Sequence, residues 1–288
     1  MNERERVDAR NGLERAPVPA SRGRARTGQR WLLLALAPLL ISAGCRGGGE
    51  TGRGGVAAAD LPPDSAPPAA LAPELFPAPA RAVAPIVSPR WQAEDSRDDA
   101  GEAERVMRAL GVQAGMRVAD IGAGDGYYAV RLSPRVGPAG RVYAEDITPR
   151  YLDLLRERIE DERLANVVVV EGLPHDPRLP AGTIDLAIFI HMYHEIEQPF
   201  ALLHNLARSM RPRGRIAVYE PDVETQYHGT PRRLLRCELE AVGYRQSRVT
   251  EMGGNEYLAV FTAPDAAALV PPDSIAARLA RGGCGGGT

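Results

Sequence analysis

Val118-Ala119-Asp120-Ile121-Gly122-Ala123-Gly124-Asp125-Gly126 is the stretch that decides how this chain folds. Val118, Ala119 and Ile121 form the apolar end of a buried strand, and the three glycines make a turn too tight, and too close to a ligand, for side chains. Such a turn is expected to hold a nucleotide-like molecule against backbone N–H groups. A second apolar run, Arg141-Val142-Tyr143-Ala144, ends at Glu145, 23 residues after Gly122. A carboxylate at that strand tip can accept both hydroxyls of a ribose. Together the two features point to a bound adenosyl group.

Glycine spacing narrows the choice of ligand. A dinucleotide fingerprint reads Gly-x-Gly-x-x-Gly, its third glycine allowing the helix to pack on the strand while the helix N-terminus faces a pyrophosphate. Here the third glycine comes one residue early, and Tyr127 stands where that pattern wants glycine. A bulky ring there obstructs close packing and has no use beside a diphosphate, so a nicotinamide oxidoreductase is disfavoured. The segment resembles motif I of the class I S-adenosylmethionine-dependent methyltransferases: an acidic residue, one apolar residue, then Gly-x-Gly-x-Gly.

Working outward, the apolar spacing of 102–110 predicts an amphipathic helix ended by Gly111, then a strand at 116–121 and a helix at 128–132 stopped by Pro134 and Gly137. A strand at 141–145 and a charged helix at 151–163 follow. The uninterrupted run Val167-Val168-Val169-Val170 reads as a central parallel strand covered on both faces. Strands at 184–190 and 215–219, helices at 198–210 and 231–242, and a closing pair at 245–250 and 257–261 complete the pattern. Alternation of this kind predicts an α/β fold, a doubly wound Rossmann-like sheet of seven mostly parallel strands with helices on both faces. Gly122, Glu145, His191 and Glu220 all fall at carboxyl ends of strands, where ligands of such sheets lie.

The resemblance covers roughly 91–263. Beside motif I it is carried by Gly140-Arg141-Val142-Tyr143-Ala144-Glu145-Asp146-Ile147, Leu179-Pro180 before Ile184-Asp185-Leu186, Tyr193-His194-Glu195-Ile196, and Arg211-Pro212-Arg213-Gly214. These are similar to small-molecule methyltransferases of the kind that includes the ubiquinone and menaquinone C-methylating enzymes, and to a bacterial group of often exported ones. The resemblance implies S-adenosyl-L-methionine as cofactor and a small organic methyl acceptor. It implies Asp120 at the methionine ammonium, Gly122, Gly124 and Gly126 in the cofactor loop, and Glu145 on the ribose. His191 is implied as a cofactor and substrate contact. The family's acid before Leu-Pro aligns with His175 or Asp176, and Asp176 is taken as the adenine contact. For an acceptor hydroxyl that needs a base titrating near neutrality, His194 is the candidate, with His191 beside it.

The flanks differ in composition. Residues 1–45 read as a targeting segment: eight arginines within 1–30, then a thirteen-residue apolar run from Trp31, interrupted by a proline and too short for the roughly 20 residues a spanning helix needs. Its end, Leu40-Ile41-Ser42-Ala43-Gly44-Cys45, resembles a bacterial lipobox and implies a lipid anchor at Cys45, on the periplasmic side of the cell envelope. A misassigned start would leave the protein cytoplasmic. Residues 46–90, rich in Gly, Ala and Pro, read as a disordered linker; 91–264 as the methyltransferase domain; 265–288 as a flexible tail. Because S-adenosylmethionine is made in the cytoplasm, an exported lipoprotein that binds an adenosyl compound without turnover is the alternative function. Three cysteines give neither a disulfide framework nor a Cys-x-x-Cys metal site, so no metal ligand is expected. A formal net charge of −2 argues against a basic surface, so no nucleic-acid partner is expected.

Overall fold

A computed structural model describes residues 64–86, 93–282 and 284. The targeting segment and Cys45 lie outside the described residues. No helix among the described residues is long and apolar enough to cross a membrane.

Seven strands form one sheet: β1 (Arg117–Ile121), β2 (Arg141–Asp146), β3 (Val167–Glu171), β4 (Ile184–Ile190), β5 (Met210–Pro221), β6 (Arg245–Gly253) and β7 (Glu256–Thr262), in the order β3-β2-β1-β4-β5-β7-β6. The first five run parallel, and β7 inserts antiparallel between β5 and β6. Among the described residues seven α-helices accompany them: α1 (Glu94–Asp99), α2 (Glu102–Leu110), α3 (Tyr127–Val136), α4 (Pro149–Asp161), α5 (Pro199–Ala207), α6 (Arg232–Val242) and α7 (Pro272–Gly282). Alternation along each strand feeds two cores. Val118, Val142 and Ile188 pack with α2, α3 and Leu155 of α4, whereas Ala119, Ile121 and Phe189 pack with α5, α6 and Ile275 of α7.

Several local expectations change. The valine run of β3 is an edge strand rather than a central one, with Val168 38% exposed; β-branching favours an extended backbone but does not say what covers it. Helix α3 continues through Pro134 to Val136, whose complete burial holds the last turn despite the missing donor, and stops at Gly137. Helix α5 ends at Ala207, because Met210 already belongs to β5.

Both flanks pack on the domain where they are described. Residues 64–86, expected within a disordered linker, run along its surface as a strap. Asp64 pairs with Arg117 and Arg141, Leu71 exchanges backbone hydrogen bonds with the Asn205 amide, and Arg81 forms a buried ion pair of 3.0 Å with Glu238. The segment lacks periodicity because domain side chains, not a ladder of its own, satisfy its backbone. The tail, expected to be flexible, carries α7, and a disulfide joins Cys237 of α6 to Cys284. Only folding brings together these two cysteines, 47 residues apart.

Candidate active site

The carboxyl ends of β1, β2 and β4 open into a crevice of about 620 Å³. Its inner edge is the glycine turn. Gly122 and Gly126 adopt φ +69° and +96°, where a Cβ would also strike Met192 and Leu155, so both positions need glycine for the backbone and for packing. At Gly124 (φ +58°) the same added atom meets nothing within 4 Å, so this glycine fronts open space.

The turn's amides are not left to face a ligand alone. Gly124 N–H donates to Asp146 Oδ2 at 2.9 Å, Gly122 N–H leans on Glu145 Oε2 at 3.4 Å, and Ala123 N–H donates to the Glu145 carbonyl at 2.8 Å. Asp146 Oδ1 also accepts Thr148 N–H, fixing the entry to α4. The expectation of a loop presenting bare N–H groups is therefore corrected. Here the loop is held by carboxylates, and its mouth is acidic.

Asp120 completes that mouth. It is buried at the tip of β1, and its Oδ2 makes no hydrogen bond within the protein. Burial, with Asp146 nearby, pushes its pKa up to about 7 against the pull of Arg97. Burial and the charge of Asp146 likewise push Glu145 well above the usual carboxylate range. Gly172 makes this possible, because a Cβ there would lie 1.7 Å from Glu145 Oε1. Three carboxyls so placed repel a pyrophosphate and suit a ligand that brings hydroxyl donors and positive charge. S-adenosylmethionine has both, in its ribose hydroxyls, sulfonium and ammonium.

The outer wall comes from α1 and α3. Tyr127, buried at the start of α3, donates to Asp98 Oδ1 at 2.9 Å, and the guanidiniums of Arg97 and Arg131 lie 3.8 and 3.7 Å from its ring centre. The ring that counted against a dinucleotide is thus a fastening for α1, whose Glu94 and Arg97 line the crevice. Arg97 also holds Glu102 at 2.6 Å. Burial opposes ionisation of Glu102, but interaction with His191 and Arg97 outweighs it and holds the carboxyl down at about 2.

Of the predicted residues, the structure brings Asp120, Gly122, Gly124, Glu145 and His191 to the crevice wall. His191 sits just past β4 with φ +56°, its ring 4.4 Å from that of Tyr219 and its Nε2 3.6 Å from Glu102 Oε2. Gly126 supports the turn from behind. Asp176 is not on the wall: its Oδ1 accepts Arg178 N–H within a turn, and Leu173 and Pro174 line the crevice instead. His194 is not on the wall either. It is fully buried behind it, with Nδ1 2.7 Å from Glu220 Oε2, and its neighbour Glu195 is the residue that reaches the crevice. The reason is local. Tyr193–Glu195 forms a 3-10 turn, which sends successive side chains in different directions. Sequence reasoning missed Arg97 and Glu102 as wall or support residues, because no motif adjoins them, whereas Asp146 and Glu195 lie inside the quoted motifs and both reach the wall.

Residues 118–214 match the profile of a family described as a methyltransferase domain, from the glycine turn to the start of β5. Over these residues the chain is similar to the class I S-adenosylmethionine-dependent methyltransferases. A solved S-adenosylmethionine-dependent methyltransferase from Aquifex aeolicus superposes on this chain with a TM-score of 0.56 and 27% identity, over 59% of this chain and 93% of that one. The demethylmenaquinone methyltransferase of Geobacillus sp. (strain WCH70) is 25% identical over 122 residues, 42% of this chain and 52% of its own. The protein-L-isoaspartate O-methyltransferase of Methanothrix thermoacetophila is 30% identical over 112 residues, 38% and 49% of the two chains. The chain thus spans about half the length of these curated relatives.

Proposed function

We propose that the protein transfers a methyl group from S-adenosylmethionine to a small, largely apolar organic acceptor. The observation that carries this reading is the acidic mouth at the glycine turn: Asp120 with an unbonded buried oxygen, and Glu145 at the tip of β2, both opening onto the crevice. When bound, the cofactor supplies an electrophilic methyl group on a sulfonium. Asp120 faces its ammonium and Glu145 its ribose, while Leu173 and Pro174 offer an apolar surface to the base. The remaining volume, bordered by Ile86, Tyr151, His191, Glu195 and Leu202, takes the acceptor. A crevice of this size falls in the ~300–1,000 Å³ range of small-molecule sites, and the menaquinone-precursor enzyme among the relatives supports an acceptor of that class. His191, pinned by Glu102 and Tyr219, orients the acceptor. Holding the two reactants about 3 Å apart in a water-poor pocket is the chain's main contribution to rate.

On this reading the domain works outside the cytoplasm, tethered through Cys45. The Cys237–Cys284 disulfide supports that location, since such bonds persist in oxidising compartments. Palmitate labelling of cells making wild-type and Cys45→Ala protein tests it, and equal labelling of the two refutes the anchor.

Calorimetric titration with S-adenosylmethionine, S-adenosylhomocysteine and NAD tests the cofactor. The two adenosyl compounds are expected to bind wild-type protein and to bind Glu145→Ala at least ~10-fold more weakly, given ~1.5–3 kcal/mol for a charge-assisted hydrogen bond. Binding of NAD in preference to either overturns the reading. Methyl release over a panel of quinols and phenols then tests turnover.

A further inference from the structure

Behind the crevice wall, two segments distant in sequence bring His194 and Glu195 together with His228, with candidate donor atoms all within 4.8 Å of one another. We propose that these three side chains bind a divalent transition-metal ion, Zn²⁺ by the chemistry of the donor set, with Glu220 as the carboxylate that orients His194.

His194 carries the inference. Its side chain is completely buried, and Nδ1 lies 2.7 Å from Glu220 Oε2, whose partner oxygen Oε1 already accepts Tyr193 N–H at 2.9 Å. A carboxylate only accepts, so Nδ1 carries the proton and Nε2 presents a lone pair. That nitrogen has no hydrogen-bond partner, and Glu195 Oε1 lies 3.8 Å from it. The separation is too long for a hydrogen bond. A cation between the two atoms would satisfy the unpartnered His194 nitrogen and use the carboxylate as its counter-charge. Two metal–ligand bonds of ~2.1 Å span up to ~4.2 Å, so the His194–Glu195 pair already fits a shared ion.

His228 supplies the third donor. Its Nδ1 is also buried without a hydrogen-bond partner, and its ring stands edge-on to that of His194 with centres 5.4 Å apart. The widest donor separation, within 4.8 Å, must close by about 0.6 Å or more. His228 and Glu195 are both half-buried and able to make that adjustment.

Charge and support agree with this assignment. Glu195 and Glu220 together neutralise a dication, removing the main penalty for burying one. A histidine whose other nitrogen donates to a carboxylate is the usual arrangement around bound zinc. Two imidazoles and one carboxylate leave a fourth position open. The strap also fixes the turns that hold the ligands. Arg81 donates to the carbonyls of Tyr193, His194 and Ile196, Ala84 N–H donates to the His194 carbonyl, and Thr225 Oγ1 donates to the Ala82 carbonyl beside the turn that bears His228. Such preorganisation is what a metal site needs. The inference does not rest on methyl transfer, although Glu195 lines the crevice and brings the ion against its wall.

The full chain, produced without a polyhistidine tag and stripped with a chelator, is titrated with Zn²⁺ by calorimetry and with Co²⁺ by visible absorption. Wild-type protein is expected to bind one ion per chain and to give the intense Co²⁺ bands of a low-symmetry, four-coordinate site. His228→Ala and Glu195→Gln are expected to bind at least ~100-fold more weakly, and Glu220→Gln ~10- to 100-fold more weakly. Melting of each variant in the presence of chelator confirms that it is folded. No stoichiometric binding by wild type, or unchanged affinity in folded His228→Ala and Glu195→Gln, overturns the proposal.

Discussion

Replacing Asp120 by Asn probes the electrostatics on which the crevice depends. In the ligand-free protein this carboxyl is 3% exposed, and burial with Asp146 beside it raises its pKa from 3.8 to about 7. A carboxyl whose folded value lies above its unfolded value takes up a proton on folding. Its charge therefore opposes folding most above the folded pKa, and the opposition fades as pH falls toward the unfolded one. A gap of roughly 3 units at 1.36 kcal/mol each comes to about 4 kcal/mol at pH 8, falling to about 1.6 kcal/mol at pH 5. Asparagine removes the charge but buries an amide, at a cost of about 1–3 kcal/mol. Ligand-free Asp120→Asn is thus expected to be about 1–3 kcal/mol more stable than wild type at pH 8, and to lose about 2–3 kcal/mol of that difference by pH 5. Urea unfolding of both proteins at the two pH values gives the difference directly. Saturating S-adenosylhomocysteine reverses the order, because its ammonium satisfies the aspartate and not the amide. A variant less stable than wild type at pH 8, or a difference that does not change with pH, refutes the reasoning.

Three further perturbations test separate parts of the structure. Gly172→Ala drives a methyl group into Glu145 Oε1 and is expected to weaken S-adenosylhomocysteine binding ~10- to 100-fold, the loss of one charged hydrogen bond, as read by titration calorimetry. Arg81→Met leaves Glu238 buried without its cation, and denaturant unfolding should show a loss of about 3–5 kcal/mol, with the strap newly open to proteolysis. Cys237→Ser opens a loop spanning 47 residues and should lower stability by about 2–4 kcal/mol. Dithiothreitol should lower wild type equally and leave the variant unmoved.

Much of the scaffold was legible in the chain because its causes are local. Strands and helices follow from apolar periods of two and of three to four, and the glycine turn from backbone angles that other residues resist. The tip of β2 puts Glu145 on the crevice wall because a strand's end and its sheet position suffice to aim one side chain. Asp176 failed for the opposite reason. Between β3 and β4 the chain follows no regular period, and a tight turn claimed that carboxylate for Arg178 while Leu173 and Pro174 took the wall.

The sequence by itself determined the doubly wound sheet, the glycine turn and an acid at each of two strand tips. Only the tertiary structure decided that the turn's amides belong to Glu145 and Asp146, that β3 lies at the edge, and that His194 faces inward to Glu220 while Glu195 faces the crevice. It alone drew residues 64–86 and the tail onto the domain through Arg81–Glu238 and Cys237–Cys284. The physical reason is range. Backbone preference and hydrophobic period act over a few residues, whereas the partner of a buried charge, and the water it loses, are set by segments that meet only when the chain has folded.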